Sequence, residues 1–146
     1  MTLVSDILKT KTEHAVHTIA PTASVYDAEQ TMAQKTIGSL LVVDAGQIVG
    51  MLTERDYARK IALMDRSSKA TPVRDIMSSR VMYVQPRHTS HECMALMTEN
   101  RVRHLPVLDG GKLVGLVSIG DLVKDIISEQ QFIIEQLEHY ITGQTV

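Results

Sequence analysis

The apolar and polar positions of this chain follow one pattern that is written twice. Residues 21–57 and 86–122 align at a constant offset of 65 without a gap, and nine of the thirty-seven aligned positions are identical. Average residue usage would give on the order of two identities. A repeat of this length indicates a structural unit that cannot bury its apolar face alone. The sequence therefore predicts a pseudo-two-fold module with two equivalent clefts between its halves.

Each copy of the pattern predicts the element order β-α-β-β-α, so the fold class is α/β. The copy opens with a short apolar stretch that ends before a proline, which favours extended backbone. A capping-box pattern then predicts a first helix, beginning at Ser24 in one copy and at Thr89 in the other. Two apolar runs around a turn of Asp and Gly predict a tight hairpin. A second helix follows at Thr53 or Ser118.

A related lead-in segment precedes each copy, at residues 4–8 and 73–77, and residues 64–72 between the copies are polar and end in proline. These features predict four segments along the chain. They are 1–63 (first repeat with its lead-in), 64–72 (linker), 73–128 (second repeat) and 129–146 (an extension of the last helix). The apolar stripe of that helix has two interpretations that stay open: packing on its own domain, or a surface for self-association.

Composition excludes several classes of partner. The net charge is −2 without any block of like charges, which argues against a nucleic-acid surface. No purely apolar run, such as residues 40–43, approaches the length of a membrane span. One cysteine, Cys93, excludes an internal disulfide and fits the cytoplasm. Because Cys93 aligns with Ala28, we interpret it as a small core residue and not as a nucleophile.

One motif in each copy carries candidate chemistry: a glycine, then Ser or Thr three residues later, then Asp after three more. It comprises Gly50, Thr53 and Asp56 in the first copy and Gly115, Ser118 and Asp121 in the second. A helix N-terminus suits phosphate, an Asp can accept both hydroxyls of a ribose, and a glycine lets a ligand approach the backbone. The alternative is that each Ser/Thr–Asp pair is only a capping box.

The chain resembles the tandem cystathionine-β-synthase (CBS) domain pair from about residue 4 to residue 127. The resemblance rests on the lead-ins, the proline openings, the segment Arg-His-Leu-Pro-Val at 103–107, the Asp-Gly-Gly turn and the Gly–Ser/Thr–Asp motif. It implies two clefts at the interface of the repeats that bind AMP, ADP, ATP, NAD(H) or S-adenosylmethionine. It also implies a face-to-face homodimer.

The resemblance also implies roles for particular residues. Asp56 and Asp121 would hold ribose hydroxyls, while Thr53 and Ser118 would contact ribose or phosphate. The residues whose backbone is expected to surround adenine are Ile19, Ala20, Ile37, Gly38, Ser39, Leu40, Tyr83, Val84, Val102, Arg103, His104 and Leu105. Pro106 is a further residue expected at the nucleotide site. Arg55, Arg103 and His104 are candidates for phosphate, because Arg pairs bidentately with it; the alternative for each is a solvated surface cation.

We therefore expect a non-catalytic cytoplasmic module that senses an adenine nucleotide, forms a homodimer and acts on an effector protein that the sequence does not identify. No catalytic cofactor is expected, nor a metal, since His14-x-x-His17 and His88-x-x-His91 have no Cys companions. Two rivals stay open. One is an interaction or dimerisation module without a ligand; the other is a small enzyme that acts on nucleotides, although no base or nucleophile is recognisable.

Overall fold

The chain folds into two compact units that each contain one repeat. The structure is a computed structural model that describes residues 2–11 and 16–143. Residues 16–81 form the first-repeat unit, whereas residues 1–15 and 82–146 together form the second-repeat unit. Both units mix strands and helices, as the α/β pattern predicted.

The elements follow the predicted order, except that the second copy opens with a single bridge in place of a strand. They are α1 (Val4–Thr10), β1 (Thr18–Ile19), α2 (Val25–Lys35), β2 (Ser39–Asp44), β3 (Gln47–Thr53), α3 (Glu54–Tyr57) continued by a π-helical turn (Ala58–Ala62), a 3₁₀ turn (Val73–Asp75), α4 (Ser90–Asn100), β4 (His104–Asp109), β5 (Lys112–Ser118) and α5 (Ile119–Ile141). Each unit has its own apolar core between its sheet and its helices.

The two predicted hairpins are confirmed and have the same register. In the first-repeat unit β2 and β3 pair antiparallel with Ser39 opposite Thr53; in the second-repeat unit β4 and β5 pair with His104 opposite Ser118. A bulge interrupts both ladders at equivalent positions. The register matters because it sets the first residue of one strand beside the residue that caps the following helix.

The turns of the hairpins place two consecutive residues at positive φ. In the second-repeat unit these are Gly110 (φ 58) and Gly111 (φ 81), and glycine adopts this conformation without strain. In the first-repeat unit they are Ala45 (φ 51) and Gly46 (φ 77). The tight turn was predicted from glycine, but Ala45 takes the left-handed conformation as well.

The opening strands of the two copies differ in length. In the first-repeat unit β1 runs parallel to β2, pairing Thr18 with Leu41 and Ile19 with Val42. In the second-repeat unit only Val84 bridges to β4. The predicted second opening strand is therefore reduced to a single bridge.

The first helix of each copy begins at the predicted cap. Thr89 and Glu92 form a complete capping box, with Thr89 N donating to Glu92 Oε1 (3.2 Å) and Glu92 N donating to Thr89 Oγ1 (3.1 Å). Ser24 forms only half of one, since its Oγ accepts from Asp27 N (3.0 Å) and α2 lacks the reciprocal bond.

Each lead-in segment packs on the repeat that lies farther from it in the sequence. Val4 N donates to His88 O (2.8 Å) in the second-repeat unit, and Val73 N donates to Ala23 O (2.8 Å) in the first-repeat unit. The acceptors are themselves 65 residues apart, so the docking is the same in both. The predicted segment 1–63 differs from the compact unit in this respect, because α1 buries Val4 and Ile7 in the core of the second-repeat unit.

The last helix runs without interruption from the second repeat into the predicted extension. Helix α5 begins after its N-cap Ser118 and ends at Ile141, followed by Gly143 at φ +74. The predicted stop near Gly143 is confirmed. There is no break at residue 129, so the extension belongs to the same helix.

Candidate functional site

The start of α3 holds Thr53 and Asp56 in a complete capping box. Thr53 N donates to Asp56 Oδ2 (3.0 Å), the Thr53 hydroxyl donates to the same oxygen (3.1 Å), and Asp56 N donates to Thr53 Oγ1 (3.2 Å). Lys60, one turn along the helix, brings its Nζ to 3.5 Å from Asp56 Oδ1 and donates to Ile76 O (2.8 Å). The carboxylate is thus fixed by its helix cap on one oxygen and faces a cation on the other.

The start of α5 repeats this arrangement with Ser118 and Asp121. Ser118 N donates to Asp121 Oδ2 (2.9 Å), and Asp121 N donates to Ser118 Oγ (3.2 Å). The cation here is Lys11, whose Nζ lies 2.9 Å from Asp121 Oδ2 and donates to Leu116 O (2.8 Å). Burial raises the pKa of Asp121, but the bonds from Lys11 and Ser118 outweigh burial and hold that pKa below its ordinary value. Asp121 is therefore ionised at neutral pH.

The residue just before β2 or β4 contributes its backbone carbonyl to the start of α3 or α5. Glu54 N donates to Gly38 O (3.1 Å), and Ile119 N donates to Arg103 O (2.9 Å). These bonds join the first residue of a helix to the residue just before β2 or β4. Together with the strand register, they bring Gly38 and Ser39 beside Thr53 in one unit. They bring Arg103 and His104 beside Ser118 in the other.

The three phosphate candidates carry different charges. Arg55 and Arg103 are exposed, and neither forms an ion pair within residues 2–11 and 16–143. Burial, helped by Lys11 and Arg103 and opposed by Asp121, lowers the pKa of His104 below its ordinary value. His104 is consequently neutral at pH 7, so it can exchange a hydrogen bond with a ligand but adds no positive charge.

Other candidates lie farther from the helix starts. Ile19 pairs with Val42, three residues along β2 from Ser39, which is about 10 Å along the strand; Ala20 follows it. The bridge partner of Val107 is Val84, so Tyr83 corresponds to Thr18 rather than to Ile19. The expected adenine contacts at Ile19–Ala20 and Tyr83–Val84 are therefore not structurally equivalent, because they differ by one position in the repeat.

Some candidate side chains belong to the cores. Leu40 is 1% exposed and Leu105 is 0% exposed, and both pack in the apolar clusters of their units. Pro106 is buried too, with its carbonyl accepting from Val84 N (3.0 Å). Val102 is half-buried against the core, whereas Tyr83 is 52% exposed. The side chains of Leu40 and Leu105 thus stabilise the fold, and only their backbone remains for a ligand.

The two glycines of the motif have a role that the sequence analysis missed. A Cβ on Gly50 would lie 2.5 Å from Met77 Sδ and 2.9 Å from Ser78 O, and one on Gly115 would lie 2.8 Å from Leu8 Cδ2. The lead-in segments therefore fill this space. The expectation that these glycines admit a ligand is wrong on this side of the strand, because the chain itself makes the close approach.

Two cations beside the helix starts were missed. Lys60 had a local signal, since it lies four residues after Asp56 on one helix. Lys11 had no signal in sequence, since it meets Leu116 across 105 residues. Glu54, beside Gly38, adds a carboxylate to the first-repeat unit that has no counterpart at Ile119.

Among the residues that the structure describes, the remaining reactive groups do not assemble into a further site. Cys93 is buried, and burial followed by the charge of Glu92 raises its pKa to about 11, which confirms it as a core residue. Among the described residues no group of three or more His, Cys, Asp or Glu could hold a metal ion. Of the two His pairs, His14 lies outside the described residues. No helix within the described ranges is long and apolar enough to cross a membrane.

Comparison with known proteins places these features in a family. The CBS domain family model matches residues 4–63 and 73–128. The chain is similar to the CBS domain-containing protein CBSX3, mitochondrial, of Arabidopsis thaliana, with 39% identity over 97% of this chain and 73% of the relative. It is similar in structure to a protein with CBS domains from Burkholderia ambifaria MC40-6, with 58% identity, a TM-score of 0.84 and coverage of 88% and 96%.

A more distant structural relative was solved with a nucleotide. The CBS domain protein PAE2072 from Pyrobaculum aerophilum, complexed with AMP, has 22% identity, a TM-score of 0.72 and coverage of 82% of this chain and 88% of that one. At 22% identity this likeness shows a shared fold alone. The matches to both repeats show that this chain belongs to the CBS domain family and carries two CBS domains.

Proposed function

We propose that the chain is a non-catalytic regulatory module that reversibly binds an adenine nucleotide, of the class AMP, ADP, ATP or NAD(H), at the starts of α3 and α5. The observation that carries this proposal is the repeated Ser/Thr–Asp arrangement. In both units Oδ2 serves the helix cap. Oδ1 of Asp121 is therefore left as an acceptor for a ribose hydroxyl, and Oδ1 of Asp56, which Lys60 approaches to 3.5 Å, keeps a second lone pair for one. The AMP complex of the relative PAE2072 supports the same class of ligand.

The surrounding groups suit the rest of a nucleotide. The start of α5 offers backbone N–H groups and the positive end of a 23-residue helix. Arg103 is exposed beside it, and neutral His104 can exchange a hydrogen bond. The residues just before β2 and β4, Gly38 and Arg103, supply backbone groups for an adenine ring. A site with a few polar groups at fixed positions is typical of ligand binding.

Isothermal titration calorimetry with AMP, ATP, NADH and S-adenosylmethionine tests the proposal. The variant Asp56→Asn/Asp121→Asn keeps an acceptor for each helix cap but loses the charge, so binding should weaken about tenfold or more per site. The matched control is Glu92→Gln, which alters the same kind of capping box at α4, where no ligand is proposed. Binding that is equal in all three proteins would reject the sites.

The rivals give different results in the same experiment. A module without a ligand would show no heat with any of the four compounds. An enzyme would consume ATP or NADH above a control without protein, which chromatography of the mixtures would reveal. Intact nucleotide with saturable binding is the result expected for the proposed module.

A homodimer is part of the proposal because of the last half of α5. Its large apolar side chains are more than half exposed, and a patch of this kind usually marks a protein interface. They are Phe132 (62%), Ile133 (51%), Ile134 (53%), Leu137 (55%), Tyr140 (83%) and Ile141 (80%). We propose a second copy of the chain as the occupant; it would supply an equally apolar helix face, as expected for a self-complementary two-fold interface.

Sedimentation velocity tests the dimer. Ile134→Glu/Leu137→Glu should convert the dimer to monomer, whereas Lys124→Glu/Gln131→Glu, on another face of the same helix, should leave it intact. A wild-type chain that sediments as a monomer at 100 μM would contradict the dimer (this concentration, about 10⁻⁴ M, corresponds to only modest affinity).

The partner and the compartment complete the proposal. A ligand shifts a conformational equilibrium only through its different affinities for the two states. An effector protein should therefore bind the nucleotide-loaded and nucleotide-free module unequally, which pull-downs with and without AMP would measure. The single buried Cys93 supports the cytoplasm as the compartment.

A further inference from the structure

The two Ser/Thr–Asp sites share their backbone geometry but differ in where their cation comes from. At the first, Lys60 pairs with Asp56 from the same helix. The position 65 residues later is Asp125, which carries the opposite charge and has a buried Oδ2 without a hydrogen-bond partner among the described residues. The cation of the second site instead arrives from the N-terminal segment, as Lys11.

Lys11 is held in place by two contacts. Its Nζ lies 2.9 Å from Asp121 Oδ2 and 2.8 Å from Leu116 O, and its side chain is 22% exposed. An ammonium group has three N–H donors, and these contacts use two of them. The third donor can serve an anion that binds beside Asp121, with the ammonium already anchored by the carbonyl of Leu116.

The acidic side chains around the first site have no acidic counterparts in the second. At the first site Glu54 bonds through its N–H to Gly38, and its carboxylate lies 3.9 Å from the place of a Cβ on Gly38. Glu29 lies close enough to Glu54 to have its pKa raised, first by burial and then by that charge. In the second repeat Ile119 stands in place of Glu54 and Met94 in place of Glu29, both neutral, while Arg103 in place of Gly38 adds a cation.

We propose that Lys11 is the residue that makes the Asp121 site selective for the 5′-phosphate of a ribonucleotide, while the Asp56 site discriminates little between nucleoside and nucleotide. This inference rests on the proposed function and adds which of the two sites takes the anionic ligand. A carboxylate that accepts a ribose diol also repels a phosphate on the same ribose. Lys11 cancels that repulsion at Asp121, and Arg103 adds a second positive charge.

The first site lacks this balance. Lys60 also neutralises Asp56, but Glu54 and Glu29 add negative charge, and Lys60 is more exposed (45% for its side chain), so solvent screens it more. A phosphate near Asp56 therefore meets an acidic surrounding with Arg55 as its remaining cation. A nucleoside carries no phosphate charge, so neither the nearby acidic side chains nor the exposure of Lys60 affects its binding.

The test compares the affinities for AMP and adenosine at one site at a time, by calorimetry. Asp56→Asn leaves the Asp121 site to be measured, and in that background Lys11→Met should weaken AMP about tenfold or more while adenosine binding stays the same. Lys11→Arg should restore the preference for AMP. Lys9→Met removes a positive charge from the exposed side of α1, the helix that ends just before Lys11, and should leave the ratio of AMP to adenosine affinity unchanged.

Each result decides the inference. An unchanged ratio in Lys11→Met, or equal loss of AMP and adenosine, would reduce Lys11 to a structural support. Wild-type protein that binds neither compound would reject the proposed function as well, which separates the two failures. If Lys11→Met does not fold, the comparison of the Asp56→Asn and Asp121→Asn proteins decides, since the Asp121 site should prefer AMP over adenosine more strongly.

Discussion

Replacing Gly50 with alanine should destabilise the first-repeat unit because the lead-in segment already occupies the space. The added methyl would lie 2.5 Å from Met77 Sδ, 3.0 Å from Met77 Cγ and 2.9 Å from Ser78 O. The sulfur can move with its side chain, but the carbonyl of Ser78 is backbone. Ser78 is also tied to Met51 by two hydrogen bonds of 2.9 Å, so a shift of this segment disturbs both.

The size of the effect follows from these contacts. Overpacking a core costs about 1–3 kcal/mol, and weakening two backbone hydrogen bonds costs about 0.5–1.5 kcal/mol each. We therefore expect Gly50→Ala to lower the free energy of unfolding by about 2–6 kcal/mol. Gly115→Ala is the matched control, because its methyl would meet Leu8 Cδ2 at 2.8 Å, the end of a side chain that can rotate away. We expect a loss of about 1 kcal/mol there.

Urea unfolding followed by circular dichroism measures both variants. The midpoint of Gly50→Ala should fall well below that of Gly115→Ala, with similar slopes. A Gly50→Ala protein as stable as Gly115→Ala would refute the assignment of this space to the lead-in segment. If such a protein also lost AMP binding, the original expectation of a ligand at this glycine would be restored.

Three further predictions concern other parts of the chain. Ala45→Gly should stabilise the first hairpin by about 0.5–1 kcal/mol, because left-handed backbone costs a non-glycine residue about 1–2 kcal/mol, partly offset by the entropy of glycine. Gly110→Ala, the reverse change at the equivalent turn, should destabilise by about 0.5–1 kcal/mol for the same reason. Equal melting temperatures for all three proteins would contradict this. The pKa of Asp121 is depressed in the folded state, so the stability that its charge contributes is present above the unfolded pKa and is lost as pH falls through the lower folded pKa. In urea unfolding, the free energy of unfolding of Asp121→Asn should therefore fall less than that of wild type between pH 6 and about pH 3. Parallel curves of this free energy against pH would argue against the ion pair. Cys93, with its pKa raised to about 11, should react with a thiol reagent at pH 8 only after unfolding, and fast labelling of the native protein would contradict its burial.

Much of each repeat could be predicted because its signals are local. The hairpins follow from apolar runs around a turn of Asp and Gly, and the helix starts follow from Ser or Thr placed three residues before an acid. The constant offset of 65 then transfers one copy onto the other. This is why Thr53 and Ser118 were identified as helix caps, and why the register of both hairpins is the same.

The features that could not be predicted depend on residues far apart in the sequence. The periodicity of residues 4–8 indicates an apolar face but not the surface it covers, and α1 covers the second-repeat unit. Lys11 meets Asp121 only through that docking. The role of Gly115 was missed for the same reason, since Leu8 is the side chain that approaches it. Contacts that a distant segment makes with a repeat, such as those of Lys11 and Leu8, cannot be predicted from the sequence of that repeat alone.

An NMR titration of ¹⁵N-labelled protein with AMP tests the central claim most directly, because amide shifts report where a ligand binds. We predict saturable shifts concentrated at the amides of Thr53, Asp56, Ser118 and Asp121. In Asp56→Asn/Asp121→Asn these shifts should need at least about tenfold more AMP while the rest of the spectrum is retained. Saturable shifts centred on other residues, or no shifts at millimolar AMP, would contradict the assignment of the repeated helix starts as nucleotide sites.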